Sequence, residues 1–169
     1  MPKIKVIIDV NVWFSVLGKQ KLYCFFELTE KNNIDVYICD ELIDEMYKVF
    51  NRPKKRKYLS SQIDEFFDIL GDIVIFRSVK HHRKFTKCSD PGDNYLFDLA
   101  IQAKADYLVS GDGDVLDTPI PPPTKVISYT QFKEMFEIQK PLLNDKKPTQ
   151  KPQGFLDWLK KDLAKFFKN

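Results

Sequence analysis

A chain of 169 residues suits one domain with a modest appendage, and 43% apolar residues with 14% aromatics suffice for an ordinary core, which excludes a chain disordered by composition. No apolar run reaches the ~18 residues that a helical membrane span needs. The net charge of +3 hides an asymmetry: residues 139–169 hold eight lysines and three aspartates, a balance of +5 that leaves the body at −2, so the body is not a uniformly basic nucleic-acid binder.

The first residues lead directly into a strand pattern, without the basic-then-apolar signature of an export signal. Cys24, Cys39 and Cys88 are odd in number and unclustered, which argues for free thiols rather than a disulfide framework or a metal knot. Both features point to a cytoplasmic protein.

In chain order, Val6-Ile7-Ile8 reads as a strand covered on both faces. Residues 12–30 are mostly helical, and residues 36–39 form a second strand. Asp40 is placed to cap the next helix, which Pro53 ends. A short amphipathic helix over 61–70 leads to a third strand at 73–76, then to a polar, basic loop over 78–89. A helix over 91–104, a strand at 107–110, the proline-rich loop Pro119 through Pro123, a strand at 125–128 and a helix near 130–138 follow. This five-fold alternation predicts an α/β fold with a central parallel sheet flanked by helices. Residues 1–138 form the expected domain, and 139–153, with Pro141, Pro148 and Pro152, the expected linker. Residues 154–169 form a C-terminal amphipathic helix, with Phe155, Leu156, Trp158, Leu159, Leu163, Phe166 and Phe167 on one side.

Four carboxylates fall where such a sheet gathers its strand ends. Asp9 ends the first strand, and burying an unpaired charge there is costly unless the charge has a task. On its helix, Glu45 borders the stripe of Leu42, Met46, Val49 and Phe50, whereas Asp44 points nearly opposite and Glu41 lies further from the stripe. In Asp90-Pro91-Gly92-Asp93, Asp90 is the helix cap and Pro91 the first helical residue. Asp93 falls in line with Phe97 and Ala100 on the inward face, while Asp98 is expected to face solvent. Asp112 and Asp114 follow the fourth strand in Ser110-Gly111-Asp112-Gly113-Asp114, with Asp112 the closer ligand and Asp114 an outer ligand or water-holder. Clustered carboxylates repel, and a divalent cation relieves them, which points to metal-assisted phosphodiester chemistry.

These residues resemble the PIN domain family of metal-dependent nucleases, and within it the toxins of bacterial and archaeal toxin–antitoxin operons. The resemblance rests on Ile8-Asp9-Val10-Asn11-Val12-Trp13-Phe14-Ser15, on Glu45 within Leu42-Ile43-Asp44-Glu45-Met46, on Asp90-Pro91-Gly92-Asp93-Asn94 and on the stretch from Ala105 to Leu116. It implies a three-layer PIN-like fold over roughly residues 3–138 and an acidic site of Asp9, Glu45, Asp93 and Asp112 binding Mg²⁺ or Mn²⁺. Ser110 matches a small hydroxyl position, and Asn11 and Ser15 match polar positions near the first acid.

The reaction expected on this basis is hydrolysis of RNA phosphodiester bonds, with Asp9, Asp93 and Asp112 as metal ligands and Glu45 orienting or deprotonating water. Lys54, Lys55, Arg56, Lys57, Arg83 and Lys84, with Lys87, are candidates to contact the RNA backbone, while His81 and His82 lie in the polar loop. The resemblance also implies a cognate antitoxin as partner and a homodimer. A haloacid dehalogenase-type phosphatase wants an Asp where Asn11 stands, and a phosphoacceptor receiver wants a Lys after the last strand, whereas Lys125 begins it. A housekeeping RNA-processing nuclease and a non-catalytic RNA-binding protein of the same fold remain as alternatives.

Overall fold

The computed structural model describes residues 2–16, 19–50, 52, 66–67, 70–71, 74–76 and 85–136. Among these, five strands form one wholly parallel sheet: β1 (Ile4–Ile8), β2 (Ile34–Ile38), β3 (Val74–Phe76), β4 (Tyr107–Ser110) and β5 (Lys125–Ser128), in the order β3-β2-β1-β4-β5. The α/β expectation is met: β4 and β5 have the expected bounds, and β1, β2 and β3 differ from theirs by one or two residues. In β1, Val6, Ile7 and Ile8 are fully buried, as a central strand covered on both faces requires.

The helices are α1 (Val10–Ser15), α2 (Lys19–Lys31), α3 (Asp40–Phe50), α4 (Asn94–Ala103), α5 (Gly113–Leu116) and α6 (Tyr129–Phe136), with a 3-10 turn at Pro91–Asp93 before α4. The helical stretch expected over 12–30 is thus two helices. Helix α3 begins at Asp40 itself rather than after it and buries Leu42, Ile43, Met46, Val49 and Phe50 on one face. Phe66, Phe67, Leu70 and Gly71 are helical and buried where the short amphipathic helix was expected. The helix end at Pro53, the linker and the C-terminal helix lie outside the described residues.

An aromatic cluster joins the helices beside the sheet. Trp13 meets Phe25 edge-on with ring centroids 5.3 Å apart, and Phe50 meets Phe66 at 5.2 Å. Such pairs add to burial by matching ring edges to ring faces. At the amino end of the sheet, Asp106 locks the register. Its side chain accepts the Lys5 amide at 2.8 Å, its own amide donates to the Lys5 carbonyl at 2.8 Å, and its carbonyl accepts the Lys125 amide at 2.9 Å. The chain reaches this point by leaving α4 through Lys104 at φ 50°, a left-handed exit.

This strand order has a direct consequence for function. The chain leaves β1 toward β2 on one side, whereas β4 lies on the other, so the connections diverge at the carboxyl ends of β1 and β4. In open α/β sheets that crevice is where ligands bind.

Candidate functional site

Asp9 stands at this crevice. The pairing of Ile8 with Val109 continues one residue further, where the Asp9 amide donates to the Val109 carbonyl at 2.9 Å and brings Asp9 beside Ser110. The Asp9 carbonyl starts α1 by accepting the amides of Val12 and Trp13, but its carboxylate makes no capping bond. The carboxylate is buried, and its Oδ2 accepts the Ser110 hydroxyl at 2.5 Å and the Asn11 amide nitrogen at 2.8 Å. Burial pushes its pKa up, the Ser110 bond opposes that shift, and the charge of Glu45 adds to it.

Asn11 and Ser110 each do two things. Asn11 Oδ1 accepts the Gly111 amide at 3.1 Å, and Ser110 Oγ accepts the Asp112 amide at 2.9 Å. The two side chains thereby tie the loop after β4 to the carboxylate after β1. Asp112 caps α5, its Oδ1 accepting the Asp114 amide at 2.9 Å, so one of its oxygens has a local structural task. Asp114 is exposed in the first turn of α5.

Asp93 and Glu45 come from helices. Asp90 takes the capping role by accepting the Gly92 amide at 2.7 Å, while Asp93 makes no capping bond and is half-buried. Its pKa is pushed up to about 7 by burial first, then by the charges of Asp9, Glu45, Asp90 and Asp112. Asp93 thus sits within the field of the other three predicted acids. Glu41, Asp44 and Glu45 are all half-buried, so exposure does not separate them. What distinguishes Glu45 is its coupling to Asp9 and Asp93 and a hydrogen bond to Oε2 from the Tyr95 hydroxyl at 2.5 Å. Tyr95 is buried on α4, and burial together with the Glu45 charge pushes its phenol far above its usual range, so it stays a donor.

Ser15 is exposed, and its hydroxyl donates to the Val12 carbonyl at 2.7 Å, one turn back on its own helix. One expectation is corrected. Asp98 does not face solvent. It is 4% exposed, and its Oδ1 accepts the Phe85 amide at 3.1 Å, because the chain around Phe85 crosses α4 and stacks the Phe85 ring on Phe97 at 4.4 Å. Its Oδ2 is buried without a hydrogen-bond partner among the described residues. Sequence reasoning also missed Tyr95, whose role depends on how α4 faces α3.

Among the described residues, no three Asp, Glu, His or Cys side chains converge into a ready cage for a metal ion. The donor chemistry nevertheless fits a hard divalent cation. These are oxygen ligands under mutual repulsion, and Mg²⁺ keeps several waters while taking only one or two carboxylates directly. Cys24, Cys39 and Cys88 are free thiols. Lys54, Lys55, Arg56, Lys57, His81, His82, Arg83 and Lys84 lie outside the described residues, while Lys87 is exposed at the surface. No helix among the described residues is long and apolar enough to cross a membrane.

The sequence profile of the PIN domain matches residues 5–114, a span that contains all four acids. An uncharacterized protein of Methanocaldococcus jannaschii is 30% identical over 125 residues, covering 68% of this chain and 74% of that protein.

Proposed function

The chain belongs to the PIN domain family, whose members are generally nucleases, and on that footing we propose that it is a metal-dependent endoribonuclease acting through Asp9, Glu45, Asp93 and Asp112. The observation that carries the proposal is the placement of Asp93, half-buried and within the field of the other three acids: burial first, and their charges next, push its pKa up to about 7. A purely structural acid is rarely kept half-buried among like charges without a partner.

Asp9, Asp93 and Asp112 would hold Mg²⁺ or Mn²⁺, in part through water. When bound, the cation would supply Lewis-acid chemistry and offset negative charge at the scissile phosphate. The chain's own residues do the rest. Ser110 and Asn11 fix the Asp9 carboxylate through its Oδ2. Glu45 Oε1 takes the proton of the attacking water as its oxygen bonds to phosphorus and the P–O bond to the leaving ribose oxygen breaks. Lys54, Lys55, Arg56, Lys57, Arg83 and Lys84 are proposed to contact the RNA backbone, where their contribution would weaken with salt.

The biological role proposed is that of a toxin held by a small antitoxin and acting as a homodimer, which rests on the resemblance of the acidic motifs to such toxins. The alternative is an RNA-processing nuclease without an antitoxin. The deciding experiment incubates the purified full chain with mixed RNA, with and without Mn²⁺. Cleavage that EDTA abolishes and excess Mn²⁺ restores, and that Asp93→Asn lacks, is expected; metal-independent or absent cleavage defeats the proposal. Growth arrest on expression, relieved by the product of an adjacent small gene, separates the toxin from the alternative.

A further inference from the structure

Glu45 stands where like charge pushes it away. Its carboxylate is felt by both Asp9 and Asp93, and among the described residues no Lys, Arg or His pairs with it. A glutamate side chain has several free torsions, and holding it in one rotamer costs conformational entropy. An ionised carboxylate is acceptor-only, so a fixed position needs a donor. That donor is Tyr95, whose hydroxyl lies 2.5 Å from Oε2, in the short range of a charge-assisted O–H···O⁻ bond. Tyr95 is itself fixed: its side chain is 5% exposed, and it sits on the first turn of α4, two residues after Asp93.

We infer that Tyr95 is a positioning residue, which pins Glu45 Oε2 and leaves Oε1 to receive the proton from water. One helix then sets two of the four acids, Asp93 through the turn at its start and Glu45 through the phenol. The catalytic consequence rests on the nuclease reading; the clamp itself belongs to the metal-free protein and is measurable without any cleavage.

The experiment uses the full chain in four forms: parent, Tyr95→Phe, Glu45→Ala and the double variant. Tyr95→Phe keeps the ring and removes only the hydroxyl. In urea unfolding without metal, it should raise the unfolding constant of the parent about five-fold but change that of Glu45→Ala less than about two-fold. Equal effects in both backgrounds overturn the clamp whether or not the protein cleaves RNA. With Mn²⁺ and RNA, Tyr95→Phe should lower kcat about ten-fold with KM nearly unchanged, and should add nothing to the loss caused by Glu45→Ala. An unchanged kcat, or losses that multiply, overturns the positioning role. If unfolding shows the coupling while the parent cleaves no RNA, the nuclease reading falls and the clamp stands.

Discussion

Ser110 donates its hydroxyl to Asp9 Oδ2 at 2.5 Å and accepts the Asp112 amide at 2.9 Å, so one oxygen atom links the acid after β1 to the acid after β4. It also opposes the cost of burying the Asp9 charge.

Ser110→Ala should therefore do more than remove one hydroxyl. It leaves Asp9 Oδ2 with Asn11 as its remaining side-chain donor and the Asp112 amide without its acceptor. We expect a stability loss of about 1–3 kcal/mol at neutral pH, read by urea unfolding without metal. Cleavage should fall as well, while Ser15→Ala, whose hydroxyl serves only its own helix, should change neither. A Ser15→Ala effect as large as that of Ser110→Ala would count against this geometry.

Asp9→Asn and Asp93→Asn should each lower cleavage at least about a hundred-fold, with the fold retained by circular dichroism. Neither carboxylate caps a helix, so neither substitution removes a cap. Near-parental rates from both purified variants would sink the assigned site.

Stability should depend on pH through Asp93. Its pKa is raised from 3.8 in the unfolded chain to about 7 in the folded protein, so between these values the folded state binds the proton and the unfolded state does not. Metal-free stability from this group is therefore full below about pH 4, declines as pH rises and levels off above about pH 7. Asp93→Asn should flatten that decline and be more stable than the parent at pH 8. Thermal scans of both proteins in EDTA from pH 5 to 8 check the sign, and a parent that gains stability across that window relative to Asp93→Asn contradicts it.

Glu45→Gln should impair cleavage far more than Glu41→Gln or Asp44→Asn. Of the three, Glu45 is the one that Asp9 and Asp93 both feel and that Tyr95 holds. Measuring the three variants at one Mn²⁺ concentration decides this, and a larger loss from Glu41→Gln would mean that the assignment is off by one helical turn.

The sheet was legible because its central strands are buried on both faces. Continuous runs such as Val6-Ile7-Ile8 can hardly be anything else when glycine, proline and capping residues punctuate the intervals. Asp9 and Asp112 were legible because a strand end fixes a residue's place in space, and Asp93 because Asp90 had already taken the capping task. Helical phase carried Glu45 to the margin of its stripe. It failed for Asp98, whose face of α4 is covered by the chain at Phe85, a contact that no local periodicity encodes. Tyr95 carried no signal at all, since its partner lies fifty residues away on another helix.

The central place of β1, paired on both sides, divides the site into a stiff half and a pliant half. Opening the seam between Asp9 and Ser110 means separating β1 from β4, which disrupts the middle of the sheet, so amides such as that of Asp9 should exchange with solvent deuterium only on global unfolding. Glu45 is anchored differently: the side-chain hydrogen bond from Tyr95 holds it, and breaking that bond, without any change in the sheet, frees it to move. If a phosphate chain enters the proposed site, the adjustment should therefore fall to the wall formed by α3 and α4, while the floor at the strand ends stays still.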